Sequence, residues 1–491
     1  MSAARERATV LRIPSPEVRM TDRTHTLTGS LGVGSIVFMV VAAAAPLTVI
    51  AGTVPLGIAI GNGAAFPATF ALCSVVLLLF AVGFCAMSRH VPDAGAFYSY
   101  VERGLGRAPG WGAAFLALAT YTAVQLAVYG YIGAILDGLV QNYGGPALPW
   151  WLYSLVALAV TGVLGYRRIE LSSRVLGVLL VSEVAIVLVF DAVVATTGST
   201  PSTALFVPAQ VVSGSLGVAI MFAIASFIGF EATAVFRDEA RDPERTIPRA
   251  TYLALVLIGA FYTLSAWAVV SAWGDAEAVA QATADPGNML LTTITNTLGT
   301  TGGNIAQVLL VTSLFAAILS FHNVLARYLF ALGGTGALPE ACGRSHTEHG
   351  SPHVASVTQS VTALVFVAVF ALAGMDPVTQ VFAWMAGTAT LGVLALMAMT
   401  CLAVIVFFRR SGVDRRPWQT LVAPGLGLAG LCICLWLTIS NFATLIGGST
   451  GLAVAIGAVL VVFFVAGAAW SARPVPTVAP VTPTSSTHGR H

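Results

Sequence analysis

Apolar residues run along this chain in long blocks, separated by short polar segments. One helical bilayer crossing requires roughly 20 such residues. The blocks predict about twelve transmembrane helices, near residues 31–53, 66–88, 111–140, 149–166, 175–197, 214–236, 250–273, 302–330, 353–374, 378–408, 420–441 and 446–471. The first block is interrupted by Pro46, which removes a helical hydrogen bond and clashes with the preceding turn. The sixth carries Ser226-Phe227-Ile228-Gly229-Phe230-Glu231 near its middle, where glycine weakens the helix and a carboxylate is expensive.

The polar segments set an orientation. The chain has no lysine, and its 23 basic residues are all arginine. They cluster at Arg5 to Arg23, Arg89 to Arg107, Arg167 to Arg174, Arg237 to Arg249, Arg327 with Arg344, Arg409 to Arg416, and Arg473 with Arg490. Between successive clusters lie two apolar blocks joined by a segment without a basic residue. Cytoplasmic loops collect arginine and the opposite loops do not. Six helical hairpins follow, with both termini in the cytoplasm of a cell in whose plasma or inner membrane the protein resides. Composition agrees: 57% of residues are hydrophobic and 9% are charged, against about 25% charged in a soluble domain. The net charge of +2 carries no message about nucleic acid, because topology accounts for the arginines, and no nucleic-acid partner is expected.

Residues 1–30 are polar and arginine-rich and read as a cytoplasmic arm. Residues 31–410 form the core of helices one to ten, 411–471 supply helices eleven and twelve, and 472–491, rich in Pro, Thr and Ser, read as a disordered tail. The run Val41 to Pro46 is not taken as a signal cleavage site, because a long polar arm precedes it and the apolar block continues beyond it. Five of the six cysteines fall in apolar blocks, and no metal-ligand spacing is present. His346, His349 and His353 cluster in one loop, where a solvated loop is the better reading than a metal site.

Two interrupted crossings five helices apart, one entering from inside and one from outside, point to an inverted-repeat transport site. Unwound backbone at that depth survives only beside protein or a water-filled cavity. Three motifs carry a family resemblance. Phe227-Ile228-Gly229-Phe230-Glu231 is followed by Asp238-Glu239-Ala240-Arg241-Asp242-Pro243-Glu244-Arg245-Thr246-Ile247-Pro248-Arg249. The first cytoplasmic loop reads Pro92-Asp93-Ala94-Gly95-Ala96-Phe97-Tyr98-Ser99-Tyr100-Val101. The third motif is Ala326-Arg327-Tyr328-Leu329-Phe330-Ala331-Leu332-Gly333, leading to Leu338-Pro339 and Pro352. With these the chain resembles the amino acid–polyamine–organocation (APC) superfamily of permeases, from about Gly32 to Arg410. The resemblance implies an all-α membrane protein of LeuT-like fold: two inverted five-helix repeats plus two extra helices. Many members carry a Gly-Ser-Gly type segment at the first break. This chain has Ala42 to Ala45, then Pro46-Leu47-Thr48, whose small residues still let backbone approach a ligand.

The resemblance also implies where an amino acid or amine would sit. Its carboxylate would meet backbone near Ala43, Ala44, Ala45, Pro46, Leu47 and Thr48, at a half-helix N-terminus. Its ammonium would meet carbonyls near Ala225, Ser226, Phe227, Ile228 and Gly229, with Phe227 or Phe230 packing over the substrate as a gate. Among acids inside predicted spans, Glu183 lies mid-helix and is a functional candidate by its depth. Asp137 and Asp191 read as close enough to the outer surface to be wet. In proton-coupled relatives the place matching Glu183 resembles a lysine site, where sodium sits in sodium-coupled ones. The expectation is that Glu183 carries or senses a coupling proton, with Ser320 or His322 nearby. Glu231 is expected to pair with an arginine or cap the unwound segment, and Asp238, Glu239, Tyr98 and Tyr100 to belong to a cytoplasmic gate or its support.

The expected function is secondary active transport of amino acids by alternating access, with proton-coupled uptake preferred. Exchange of amino acids or amines, polyamine permeation and non-transporting sensing are the alternatives. No cofactor beyond a coupling proton, no metal and no enzymatic activity are expected. HExxH and GxSxG signatures are missing from the sequence, and so are filter-like repeats of a channel. The loop after helix six is too short for a major-facilitator carrier. With no membrane acid set aside for a second cationic group, neutral amino acids are favoured over polyamines.

Overall fold

A computed structural model describes residues 31–91, 96–167, 173–197, 201–334, 336–344 and 351–472. The arm 1–30, the tail from 473, and the loop histidines His346 and His349 lie outside the described residues. The described chain is helical. Sixteen α-helices follow in order: α1 (Val33–Ala43), α2 (Pro46–Gly57), α3 (Phe66–Ser88), α4 (Ala96–Leu105), α5 (Arg107–Asn142), α6 (Trp150–Arg167), α7 (Ser173–Thr196), α8 (Pro208–Val211), α9 (Leu216–Ala225), α10 (Pro243–Trp273), α11 (Asp275–Ala284), α12 (Met289–Gly334), α13 (His353–Leu372), α14 (Ala383–Ser411), α15 (Ala423–Leu445) and α16 (Thr450–Trp470).

Among the described residues, ten helical spans are long and apolar enough to cross a membrane. One of them, Pro46–Ser88, is interrupted at Gly61 (φ −97°, ψ −119°) and Gly63 (φ 62°), so it supplies the end of one crossing and all of the next. Trp150–Arg167 is an eighteen-residue helix outside those ten. Its ends carry Trp150, Trp151, Tyr166 and Arg167, residues that suit the membrane–water boundary.

The boundaries differ from the sequence expectation in instructive places. The first cytoplasmic loop motif contains a helix, α4, with Phe97 and Val101 buried and Glu102 and Arg103 exposed. The eighth block begins earlier than 302, because an outer helix over 289–298 runs into the crossing through a non-helical Gly299 (φ 76°, ψ 176°). Both differences arise where polar or small residues dilute the apolar signal in helices that lie at the surface.

Helix α5 is the hub, touching α4, α6, α12, α14 and α16. Lipid tails are as apolar as leucine, so helices in a bilayer associate by close backbone approach at small residues. At Gly130 an added Cβ would lie 2.8 Å from the carbonyl oxygen of Pro377, and at Gly427 of α15 it would lie 2.9 Å from the backbone nitrogen of Phe80 in α3. Ion pairs among the described residues are confined to two loop contacts, Asp242 with Arg245 and Asp414 with Arg416. The Arg416 side chain hydrogen-bonds the Asp414 carboxyl and holds it down at about 2. Helix contacts within the bundle rest on packing and hydrogen bonds, including one from Arg237 to the Ser88 carbonyl at 2.7 Å.

The first and sixth crossings run side by side in opposite directions and are tied at both ends. At the inner end, Leu31 N–H donates to the Glu239 carbonyl at 2.9 Å, and Arg241 N–H donates to the Leu31 carbonyl at 3.0 Å. At the outer end, Ser215 N–H donates to the Gly61 carbonyl at 2.9 Å. Gly427→Leu is expected to force α15 from α3 and destabilise the bundle by about 1–3 kcal/mol. A lowered melting temperature in detergent checks this, and an unchanged one would show that the contact is not tight.

Candidate functional site

The first crossing breaks at Ala44 and Ala45. Ala45 has φ 47° and ψ 67°, the one non-glycine residue with positive φ among the described residues. The left-handed region costs an alanine roughly 1–2 kcal/mol, so the surroundings must hold it there. Pro46 follows at the first position of α2, where its missing N–H is tolerated. The α1 ladder closes with Ala44 N–H on the Val40 carbonyl and Ala45 N–H on the Ala42 carbonyl. No protein bond reaches the Ala43 carbonyl or the Thr48 N–H among the described residues. Tyr262 of α10 donates its hydroxyl to the Ala44 carbonyl at 3.4 Å.

The sixth crossing also breaks after its first half. Helix α9 ends at Ala225, turns through Ser226 to Gly229, and continues as a 3-10 helix over Phe230–Glu239. Gly229 has φ 112°, a conformation that favours glycine. Ile228 N–H bonds the Ala225 carbonyl, and Phe230 N–H the Phe227 carbonyl, while the Ser226 carbonyl accepts no protein bond among the described residues. The hydroxyls of Thr53 and Ser226 stand 2.9 Å apart and join the outer halves of the two crossings.

The two breaks share one cavity. A cavity of about 70 Å³ lies between Ala43, Ala44, Ala45, Thr48, Val49 and Thr53 of the first crossing and Ala225, Ser226 and Ile228 of the sixth. Val124, Ala127 and Val128 of α5, Ala317 and Phe321 of α12, and Phe382, Ala386 and Ala389 at α14 complete the wall. No lining side chain carries a charge. A charged ligand group in this cavity therefore meets backbone dipoles, the donors at the start of α2 and the acceptors at the ends of α1 and α9.

Several expected residues stand elsewhere. Phe227 and Phe230 are buried and do not line the cavity. Phe227 lies against Phe70 and Tyr262, and Phe230 against Phe80, so both wedge the sixth crossing into the bundle. The aromatic walls are Phe321 and Phe382, which the sequence reading passed over because they sit in unbroken apolar helices. Pro46, Leu47 and Gly229 shape the breaks without lining the space.

Glu183 is 5% exposed. Its carboxyl lies near the Leu47 N–H at the start of α2 and near Ser313 of α12. Ser313 also accepts from the Thr48 hydroxyl at 3.0 Å. An acid from α7 thus caps the broken first crossing. The expected neighbours are corrected: Ser320 is exposed, and His322 Nε2 lies 2.9 Å from Ser356 Oγ, beside α13.

Glu231 is 4% exposed. One carboxyl oxygen accepts from Tyr121 at 2.8 Å and the other from the Gly229 N–H at 2.8 Å, so the acid caps the unwound segment with no arginine involved. Tyr121 packs against Phe321 and Tyr328, and Tyr328 against Tyr98, forming an aromatic layer beneath the cavity. Tyr100 lies outside that layer, stacked on Phe84. Glu239 contributes its carbonyl to Leu31, and the Asp238 side chain lies outside the described residues. Asp137 is wet as expected, bonded to Gln141 and the Leu148 N–H. Asp191 departs from expectation: it is 3% exposed and bonds Ser265.

A broken pair of helices around an uncharged cavity is the arrangement the motifs implied. The family model for amino acid permeases matches residues 35–477. This chain belongs to the amino acid permease family. The permease is 25% identical over 414 residues to the branched-chain amino acid permease BcaP of Lactococcus lactis subsp. cremoris, across 77% of this chain and 82% of that relative. It is 22% identical over 409 residues to BcaP of Bacillus subtilis, across 78% and 84%. Over 298 residues it is 22% identical to the low-affinity putrescine importer PlaP of Escherichia coli, across 56% of this chain and 60% of that one. The family and the apolar helices make it a multi-pass membrane protein of amino acid transport.

Tyr121→Phe is expected to leave the Glu231 carboxyl short of a donor in a dry site, at a cost of about 1–3 kcal/mol. The drop should register in a thermal-unfolding scan, and a variant as stable as the parent would mean the phenol adds nothing.

Proposed function

We propose that this permease moves small neutral amino acids with aliphatic side chains across the cell membrane by alternating access, driven by the proton gradient, with both termini in the cytoplasm. The observation that carries the reading is the shared cavity. It holds two helix breaks that answer a zwitterion with backbone alone, and walls of Ala, Val, Ile and Phe that suit an aliphatic side chain. A polyamine would bring a second ammonium, and no carboxylate lines the cavity to receive it. The names of both BcaP relatives point the same way, while that of PlaP marks amines as the competing class.

In this reading Glu183 is the coupling acid. Its carboxyl sits on the Leu47 N–H at the start of α2, directly beside the Thr48 N–H offered to the substrate carboxylate. A carboxylate at Glu183 and a substrate carboxylate in the same low-dielectric corner repel one another. A proton on Glu183 removes that repulsion, so proton and substrate are taken up together from outside and released together inside. Tyr121, Glu231 and the aromatic layer beneath the cavity form the cytoplasmic closure, since Glu231 holds the Gly229 N–H and Tyr121 packs on Phe321 of the cavity wall.

The protein in vesicles with an imposed inward proton gradient is expected to accumulate labelled valine, leucine or isoleucine, and unlabelled putrescine is expected not to compete. Glu183→Gln should abolish gradient-driven accumulation while retaining counterflow exchange. Full accumulation by the variant would remove Glu183 from the coupling. Uptake of putrescine in preference to leucine would overturn the substrate class, and binding without counterflow would favour a sensor.

Ala386→Leu adds bulk to the cavity wall. Leucine uptake is expected to fall at least about tenfold relative to alanine, as for extra methylenes in an apolar pocket. Equal losses for the two substrates would place the amino acid side chain elsewhere.

A further inference from the structure

Helix α7 buries one stripe: Leu180, Glu183, Val187, Phe190, Asp191 and Val194. Two of these six are acids. An acid deep in a membrane helix is a functional candidate by default, and the coupling reading uses only the first. Asp191 is 3% exposed, its Oδ2 accepts from Ser265 of α10 at 2.8 Å, and its Oδ1 is buried without a partner among the described residues. A packing carboxyl is ordinarily satisfied at both oxygens, and an unpartnered buried one carries a penalty of about 1–3 kcal/mol.

The position of that oxygen is informative. Eight residues separate Asp191 from Glu183 in the sequence, about 12 Å along the helix axis. Asp191 is the nearer of the two to the outer end of α7 at Thr196. On α10, the facing element, Ser265 lies one turn from Tyr262, whose hydroxyl reaches the broken first crossing at Ala44 and whose charge environment includes Glu183. A spaced column of hydroxyls and carboxyls therefore follows this seam, from Asp191 and Ser265 past Tyr262 to Glu183, Ser313 and Thr48, with hydrogen bonds joining Asp191 to Ser265 and Thr48 to Ser313. The elements packed against α7 are α12, α10, α2 and α1. Tyr262 is the titratable side chain that α10 turns toward this column. The sequences of α1 and α2 contain none. Ser313 is the polar group α12 presents to Glu183, and its His322 is engaged with Ser356.

We propose that Asp191 is the outer loading site for the coupling proton, a relay acid that takes a proton from the extracellular side and hands it inward to Glu183. The inference rests on the coupling role given to Glu183 above. An O–H bond forms at the Asp191 carboxylate as water outside gives up a proton. That bond then breaks as the proton passes along the hydroxyl column, through water admitted when the outer side opens, to the Glu183 carboxylate. Asp191 returns to its starting charge, and one proton has moved. Because Asp191 touches neither substrate nor the cavity, it sets the rate of loading and leaves the stoichiometry to Glu183.

The test compares the parent, Asp191→Asn, Ser265→Ala and Glu183→Gln in vesicles, reading initial gradient-driven uptake of labelled leucine against external pH, the final accumulation ratio, and counterflow at equal pH. Asp191→Asn is expected to slow initial uptake about tenfold or more, within the range of losses for a positioned proton-transfer group. Its accumulation ratio and counterflow should match the parent. A small permeant weak acid such as formate should restore the rate, and Ser265→Ala should show a milder form of the same defect. Parental uptake rates for Asp191→Asn at every external pH overturn the proposal and leave the role of Glu183 intact. Equal loss of uptake and counterflow in Ser265→Ala, or in Asp191→Asn, without rescue by formate also overturns it, by making the pair structural. If the parent shows no gradient-driven accumulation, or Glu183→Gln keeps it, the coupling reading itself falls and the relay with it.

Discussion

Bare peptide groups in the middle of a bilayer are the constraint on which this structure turns. Hydrocarbon offers no hydrogen bonds, so each N–H or carbonyl freed by breaking a helix must find a partner inside the protein or face a wet cavity. The permease breaks two helices at the same depth and answers most of the freed groups with side chains from other elements. Glu183 faces the Leu47 N–H, Tyr262 gives its hydroxyl to the Ala44 carbonyl, and Glu231 takes the Gly229 N–H. Among the groups left over are the Thr48 N–H and the Ala43 and Ser226 carbonyls, which belong to residues on the wall of one cavity. Under the proposed function, these unanswered backbone groups are what a zwitterion would meet.

The supporting bundle follows from that arrangement. Two antiparallel broken crossings remain in register because their ends are tied, Leu31 to Glu239 and Arg241 inside, and Ser215 to Gly61 outside. Between the ties the halves hinge at Ala45 and Gly229, both at positive φ. Helix α5 bounds the cavity with Val124, Ala127 and Val128 and sends Tyr121 down to Glu231. One helix therefore touches both the cavity and the aromatic layer beside it. Keeping charged side chains out of the cavity wall has a further consequence. The buried acids Glu183 and Asp191 of α7 and Glu231 after α9 all stand outside that wall, against backbone N–H or hydroxyl groups.

Much of this was legible in the chain. Arginine spacing and block length marked a chain that crosses the membrane many times, because the cost of leaving charge or bare backbone in lipid is a local property of sequence. Pro46 and the Ser226 to Glu231 segment marked the breaks for the same reason, since proline and glycine act on the chain where they stand. The prominence of Glu183 and Glu231 could also be read, as an acid in an apolar block advertises itself. The neighbours of those acids were not legible. Ser320 and His322 looked closer to the site than Ser313, yet the helical phase of α12 turns Ser320 outward and His322 toward α13. Phe227 and Phe230 looked like substrate contacts because they flank the break. Tertiary packing instead sends them into the core and gives the cavity Phe321 and Phe382, which no local signal distinguishes from ordinary apolar helix.

By itself the sequence determined that the chain spans a membrane many times, which crossings are interrupted, and which buried acids need an explanation. Each of these depends on the free energy of one segment in water against lipid. Only the tertiary structure decided that the two interruptions meet, that Glu183 caps the first of them from α7, that Asp191 is dry and half-paired, and that the cavity wall is uncharged. Those are relations between helices far apart in the chain. They depend on how each helix is rotated about its own axis, and rotation is fixed by side-chain packing against neighbours rather than by any residue alone.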